Sequence, residues 1–121
     1  MNDGSGVSPW IWKLALPTTV RARATSAPTP TWDQRARREG IVVKRISFKV
    51  PPPSDAYIVD QFRAAITPRT KVIELPHITN LTGQIMPVRQ IIDMARAQNI
   101  QVLIDGAHAF AHFPFTRDDL G

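Results

Sequence analysis

From Thr31 onward, helix-like and strand-like segments alternate three times, and this order restricts the fold more than any other feature. The predicted segments are, in order, helix 31–39, strand 41–50, helix 55–66, strand 71–75, helix 87–99 and strand 102–104. Strands that alternate with helices of about ten residues predict right-handed crossovers and a mostly parallel sheet. The strands are short apolar runs, which is typical of a sheet covered on both faces. The sequence therefore predicts an α/β fold.

Residues at the segment ends support these boundaries. Thr31 can cap the first helix and Gly40 can end it, Ser54 can cap the second helix, and Pro87 suits the first position of the third. Two helices also have apolar residues at helical spacing, which predicts one buried face on each. These residues are Ile58, Phe62, Ala65 and Ile66 in the second helix, and Val88, Ile91, Ile92 and Ala95 in the third.

Residues 1–31 differ from the rest of the chain. They contain four of the eleven prolines and show no sustained period of 2 or 3.6 residues. We therefore predict a poorly ordered or partly packed N-terminal segment over 1–31 and one partial domain over 32–121. Trp10 and Trp12 are exceptional within the segment, since disordered tails seldom contain tryptophan.

Composition excludes several classes of function. The chain has no cysteine, which excludes disulfides, thiolate metal sites and a cysteine nucleophile, and which is compatible with a cytoplasmic location. Its net charge is +5, but the dense basic cluster at 35–38 suits a solvated helix face, so we expect no nucleic-acid partner. No apolar run approaches the roughly 20 residues of a membrane-spanning helix, so we expect no membrane partner.

Polar residues stand where two predicted strands end. Asn80 lies in the loop after 71–75, and Asp105 and His108 follow 102–104. Ligands of open α/β sheets bind outside the carboxyl ends of the strands, so two adjacent strands would bring these residues to one crevice. Asp105 followed by Gly106 is also a common turn pair, and that structural interpretation stays open.

A metal site is another alternative at the same place. If residues 105–112 were helical, Asp105, His108 and His112 would lie at i, i+3 and i+7 on one face, and two histidines with one carboxylate can hold a divalent metal. However, Asp105 directly follows a strand, and Pro114 would soon break a helix. We therefore predict no metal ligand here.

The stretch that carries a resemblance reads VIELPHITNLTGQIMPVRQIIDMARAQNIQVLIDGAHAFAH. It resembles the large-domain core of the class V aminotransferases, enzymes of fold type I that use pyridoxal 5′-phosphate (PLP) and include cysteine desulfurases, kynureninases and isopenicillin-N-epimerase-like proteins. The shared pattern is His-x-x-Asn-x-x-Gly, a proline-led helix, and a strand that closes in Asp-Gly-Ala-His. A weaker match reaches back to about Trp32 and is most similar to the epimerase-like subgroup.

The resemblance implies a fold and a cofactor site. The fold would be part of a three-layer α/β/α large domain with a mostly parallel sheet. Asp105 would pair with the PLP ring nitrogen and hold its proton, His108 would face the phenolic oxygen, and Asn80 would lie near that oxygen and the substrate carboxylate. His77 matches a family position to which we assign no role. The resemblance also implies an amino-acid substrate and a homodimer.

The chain departs from the family at the catalytic lysine. In the family this lysine follows the aspartate in a Ser/Thr-x-His-Lys motif, whereas Lys13, Lys44, Lys49 and Lys71 all precede Asp105. We therefore expect no catalytic residue and no turnover by this chain alone, as for a fragment of a larger enzyme. Two alternatives are a non-catalytic partial domain that associates with another chain, and the Asp/His metal-binding module.

Overall fold

The computed structural model describes residues 18–22 and 30–121, which contain four strands and four helices. In chain order these are β1 (Thr18–Ala22), α1 (Pro30–Glu39), β2 (Val43–Ile46), α2 (Asp55–Ala65), β3 (Thr70–Pro76), α3 (Val88–Arg96), β4 (Gln101–Asp105) and α4 (Arg117–Leu120). The strands form one sheet in the order β2-β1-β3-β4, and every neighbouring pair is parallel. The predicted alternation and the parallel sheet are confirmed.

Strand β1 was not predicted. It is an inner strand, in which Thr19 pairs with Val43 of β2 on one side and with Val72 of β3 on the other. The expectation of poor order over 1–31 therefore does not hold for residues 18–22, and the other residues before Pro30 lie outside the described residues. The sequence of β1, TTVRA, has only two apolar residues, Val20 and Ala22, so it lacks the apolar run from which the other strands were predicted.

The two faces of the sheet meet different helices. One face packs against α2 and α3 through side chains that alternate along the strands, namely Ile46, Ile73, Leu75, Val102 and Ile104. The opposite face carries Arg45, Glu74, Leu103 and Asp105, as the strand register requires. Arg45 forms an ion pair with Asp33 of α1, so α1 lies over this second face. The β1–β2 connection moves across the sheet in one direction, and the β2–β3 connection moves back in the other. Right-handed crossovers therefore place α1 and α2 on opposite faces of the sheet.

Two of the six predicted helix ends, the end of α1 and the start of α2, are confirmed, and the other four shift by one to three residues. The Ser54 hydroxyl accepts a hydrogen bond from the Tyr57 amide at the start of α2, and Gly40, with φ of 70°, follows α1 directly. Thr31 lies inside α1 because the helix begins at Pro30. Pro87 is the residue before α3, whose first helical residue is Val88.

Helix α3 is also shorter than predicted. It ends at Arg96 rather than near Asn99, and Asn99 itself has φ of 56°. A left-handed residue cannot continue a right-handed helix, and here it turns the chain towards β4.

The core lies between the sheet and the α2–α3 layer. Its fully buried side chains are Ile58, Phe62, Ile73, Leu75 and Ile91, while Ile66 and Ile92 are only partly buried. The expectation that both sheet faces are covered does not hold at β4, since Leu103 is 53% exposed. Within residues 18–22 and 30–121, no helix is long and apolar enough to cross a membrane.

Candidate functional site

The loops after β3 and β4 meet at the carboxyl edge of the sheet. Pro76 and Asp105 are the last residues paired between the two strands. One residue further on, the His77 amide donates a hydrogen bond of 2.8 Å to the Asp105 carbonyl oxygen. The predicted adjacency of the two loops is therefore confirmed by the register and by a direct main-chain contact.

Asp105 combines a turn with an accessible carboxylate. Its Oδ1 accepts a hydrogen bond of 3.1 Å from the Ala107 amide, which is the turn that the Asp-Gly pair indicates. Its Oδ2 has no hydrogen-bond donor among the described residues, and the residue is exposed. Apart from its two chain neighbours, no described residue has an atom within 4 Å of the position that a Gly106 side chain would occupy. The strand end thus holds one carboxylate oxygen in place and leaves the other available beside open space.

Residues 106–112 form consecutive turns rather than a helix. The Ala109 and Phe110 amides both donate to the Gly106 carbonyl oxygen, at 3.0 and 3.1 Å, and Ala111 has φ of 64°. His108 and His112 are exposed on these turns. The helical face that the metal alternative required is therefore missing, and the described part of the chain contains no group of three or more His, Asp or Glu arranged to hold a metal ion.

Asn80 lies in a tight hairpin between β3 and α3. Ile78 and Ile85 form an antiparallel bridge, and the Thr79 amide donates to the Gln84 carbonyl oxygen at 3.0 Å. The turn closes at Gly83, whose φ of 66° suits glycine. Asn80 is exposed in the turn that follows Thr79. Across residues 18–22 and 30–121, no hydrogen bond joins its side chain to Asp105 or His108, so the predicted residues share an edge without a side-chain hydrogen bond from Asn80 to the other two.

His77 is the buried residue of this edge, and the sequence analysis assigned it no role. Only 4% of its surface is exposed. Its ring packs edge-on against Phe113 and Phe115, with ring centroids 5.1 and 4.7 Å away. The sequence signal that could have found this contact is the Phe-Pro-Phe run after the Asp-Gly-Ala-His motif, which places two large apolar side chains beyond a polar loop.

The chain also matches a known protein family over most of its length. The family described as Aminotransferase class-V matches residues 19–121. This chain belongs to the class V aminotransferase family. The match covers all four strands except the first residue of β1, and it begins upstream of the predicted domain boundary at residue 32.

Two curated relatives illustrate the range of the class V family. The chain is 35% identical over 78 residues to isopenicillin N epimerase from Streptomyces clavuligerus, which covers 64% of this chain and 20% of that protein. It is 32% identical over 92 residues to a probable cysteine desulfurase from Mycolicibacterium paratuberculosis, which covers 74% of this chain and 13% of that protein. The chain thus spans a fifth or less of the length of these relatives.

Solved structures confirm that the chain has the fold of part of a PLP-dependent transferase large domain. The cysteine desulfurase CsdA from Escherichia coli superposes with a TM-score of 0.72 at 25% identity, covering 86% of this chain and 26% of that one. The cystine C-S lyase C-DES, solved with its product cysteine persulfide, gives 0.70 at 22% identity, covering 87% and 29%. A variant of C-DES was solved with glycine covalently linked to its PLP cofactor. The fold class expected from the sequence is confirmed.

The hydrogen-bonding groups at the strand edge fit a protonated pyridine ring. A ring N–H needs an anionic acceptor in a fixed position, and the Asp105 Oδ2 atom is such an acceptor because its partner oxygen is held by Ala107. The exposed imidazole of His108 lies on the turn that Asp105 begins and can donate to an oxygen of the same ring. These residues could therefore hold PLP through noncovalent contacts.

Proposed function

We propose that this chain forms the part of a PLP site that supports the cofactor ring, within an enzyme that acts on an amino acid at its α-amino group. Asp105 pairs with the ring nitrogen, and His108 and Asn80 serve the phenolic oxygen. The observation that carries the proposal is the Asp105 carboxylate at the sheet edge, anchored through one oxygen and available through the other. Family membership over residues 19–121 supports the same assignment.

Each residue has a definite task in this proposal. Bound PLP supplies an electron sink for chemistry at the substrate α-carbon. The Asp105 carboxylate keeps the ring nitrogen protonated, because an ion pair favours the charged form of both partners. The His77 amide fixes the main chain of Asp105, so the carboxylate does not have to be ordered when the ring binds. His108 orients the ring by donating to its oxygen, and Asn80 has an amide that can bind both this oxygen and a substrate carboxylate.

The epimerase-like subgroup is the proposed branch of the family. The Trp32–Phe48 stretch resembles that subgroup, and 35% identity to isopenicillin N epimerase supports it. The cysteine desulfurase relative has 32% identity. An epimerase-like activity requires a base that moves the α-proton, and the described residues near Asp105 include no lysine for that task.

The positions of the lysines support a role without covalent attachment. The Lys44 ammonium donates to the Ala65 carbonyl oxygen at 3.1 Å, on the α2 side of the sheet. Lys71 lies near the start of β3, at the amino edge of the sheet and therefore opposite the carboxyl edge that holds Asp105. Lys49 follows β2, which lies three strand spacings, or about 14 Å, from β4. We therefore propose that these residues do not bind PLP covalently and that this chain alone has no turnover.

Calorimetric titration with pyridoxamine 5′-phosphate tests the assignment of Asp105. This probe has the same ring and phosphate as PLP but no aldehyde, so it reports noncovalent contacts alone. We expect Asp105→Asn to weaken binding by about tenfold or more, since a neutral amide cannot stabilise a pyridinium in the same way. The matched control is Asp60→Asn, which removes an exposed carboxylate on α2 and should leave the affinity unchanged. Equal affinity of the wild-type and Asp105→Asn chains, or no binding by either, contradicts the proposal.

Borohydride reduction in the presence of PLP tests the lysines separately. We expect no stoichiometric pyridoxyl-lysine by peptide mass analysis. Stoichiometric modification of a single lysine would overturn the noncovalent assignment. It would not affect the role of Asp105, which the titration tests separately.

Association with another chain is a second candidate function. The observation that favours it is the exposed apolar surface at β4, where Leu103 is 53% exposed on a sheet face. Exposed apolar faces and strand edges promote association. This candidate is compatible with the first, because a cofactor site can be completed by residues from a second chain.

A further inference from the structure

We propose that His77 is a positioning residue, whose ring packs against both Phe113 and Phe115 and fixes the turn segment 106–112 against the strand end that carries Asp105. The segment holds His108, so its use in cofactor binding rests on the proposed function. The packing role itself does not, and it can be measured without any ligand.

The main chain of His77 joins three parts of the sheet edge. Its amide donates to the Asp105 carbonyl oxygen at 2.8 Å, and its own carbonyl oxygen accepts from the Met86 amide at 2.9 Å. The first bond ties it to the end of β4, and the second closes the hairpin that leads to α3. The loop after β3 therefore begins at His77, and the loop after β4 begins at its hydrogen-bond partner Asp105.

The side chain of His77 holds the far end of the β4 loop. Its ring centroid lies 5.1 Å from that of Phe113 and 4.7 Å from that of Phe115, with interplanar angles of 83° and 81°. The two phenylalanine rings lie 5.5 Å from one another. Edge-to-face packing at these distances stabilises aromatic pairs beyond the effect of area burial. Segment 106–112 is thus tied to His77 at its start through Asp105 and at its end through the phenylalanines.

The turns inside the segment have few other supports. Their hydrogen bonds are local, from Ala109 and Phe110 to Gly106 and from His112 to Ala109. Ala109 is buried, but its neighbours Phe110, Ala111 and His112 are exposed. A short exposed segment with local bonds opens easily unless its ends are held. The geometry therefore gives the His77 ring a direct influence on how rigidly His108 is presented.

Amide hydrogen exchange of the ligand-free chain tests this role. We expect His77→Ala to reduce protection of the Ala109, Phe110 and His112 amides by about tenfold or more, because the end of the segment is released. His77→Phe replaces one ring by another and should restore protection to within about threefold of the wild type. Ile91, in the middle of α3, reports the global fold and should be unchanged in both variants.

Several outcomes would overturn the proposal. Unchanged protection in His77→Ala means that the ring does not hold the segment, and an equal loss in His77→Phe means that ring packing is not the cause. If Ile91 also loses protection in His77→Ala, Phe113→Leu replaces it as the test, since it removes one ring contact and leaves His77 in place. Unchanged exchange in Phe113→Leu would then contradict the role. Binding of pyridoxamine 5′-phosphate is measured separately, so a failed cofactor site and a failed positioning role give different results.

Discussion

At the scale of single residues, His77 has the most unusual environment among the titratable side chains described here. Burial lowers the pKa of its imidazole below the usual value of 6.5, because a charged ring loses hydration when it packs against two phenylalanines. Arg89 and Asp119 line the same cavity. Hydrogen bonds from the Thr116 amide and hydroxyl lower the pKa of the Asp119 carboxyl, so Asp119 stays ionised while the imidazole titrates.

We predict that the stability of the chain falls as pH drops below about 6.5 and that His77 accounts for part of the loss. The unfolded chain then binds a proton that the folded imidazole resists, so the free energy of unfolding decreases down to the lowered pKa of the folded state. The stabilising contribution of the neutral imidazole is therefore fully present above pH 6.5 and is lost as the pH falls through the lowered pKa of the folded state. Urea unfolding between pH 4.5 and 8 measures the effect.

His77→Phe is the control for this pH dependence, since it keeps a ring and cannot titrate. His108 and His112 are present in both chains, so the difference between the two pH profiles isolates His77. Identical profiles for the wild type and His77→Phe would show that the imidazole does not contribute.

Prediction from sequence succeeded for residues whose position follows from local order along the chain. Asp105 was placed at a strand end because an apolar run stops there, and Asn80 was placed in the loop after the preceding strand. The role of His77 could not be predicted in this way. It depends on Phe113 and Phe115, which are distant along the chain. The Phe-Pro-Phe run indicates that two large apolar side chains follow the loop, but not that they pack against His77.

At the scale of elements, segments with strong periodicity or capping residues were predicted well. Helix α2 was expected from its apolar spacing and from Ser54, and both are confirmed. Strand β1 was missed because its sequence, TTVRA, contains no apolar run, although it pairs on both sides. Helix α3 was predicted too long, because the left-handed conformation of Asn99 is set by the turn into β4 and leaves no trace in the apolar pattern.

We predict that Ser54→Ala destabilises the chain by about 1 kcal/mol, since it removes the acceptor for the Tyr57 amide at the start of α2. Helix α2 covers the sheet and holds the fully buried Phe62, so fraying of its first turn weakens the core. Urea unfolding at pH 7.5 gives the change in free energy.

The matched control for this cap is Ser47→Ala. Ser47 is also exposed, and its hydroxyl makes no hydrogen bond with any described residue, so its loss should change stability by less than about 0.5 kcal/mol. Equal effects of the two substitutions would show that the Ser54 cap does not support the helix.

At the scale of the whole molecule, the sheet is covered unevenly. Helices α2 and α3 pack against one face, whereas α1 pairs with the other face at β2, through Asp33 and Arg45. Strand β4 lies at the far edge, and among the described strands it pairs with β3 alone. The same edge carries Asp105, so the candidate site lies beside the least covered part of the molecule. The sequence predicted a sheet with both faces covered because it shows which runs are apolar, but not how many helices reach each strand.

We predict that the chain associates with itself through β4 in a concentration-dependent manner. Leu103 is 53% exposed on the uncovered face, and Phe110, in the loop that follows, is 79% exposed. Unpaired strand edges and apolar patches both favour association in water. Leu103→Lys places a charge on this face and should shift sedimentation velocity profiles towards the monomer, with little change in the free energy of unfolding because the side chain is not part of the core.

Val50→Lys is the matched control for association. Val50 is 55% exposed, close to the value for Leu103, but it lies in the loop between β2 and α2. The same added charge there should leave the sedimentation profile of the chain as it was. If both substitutions reduce association equally, net charge rather than the β4 face controls it. If neither does and the wild type remains monomeric at high concentration, the uncovered face of β4 does not mediate association, and the second candidate function loses the observation that favours it.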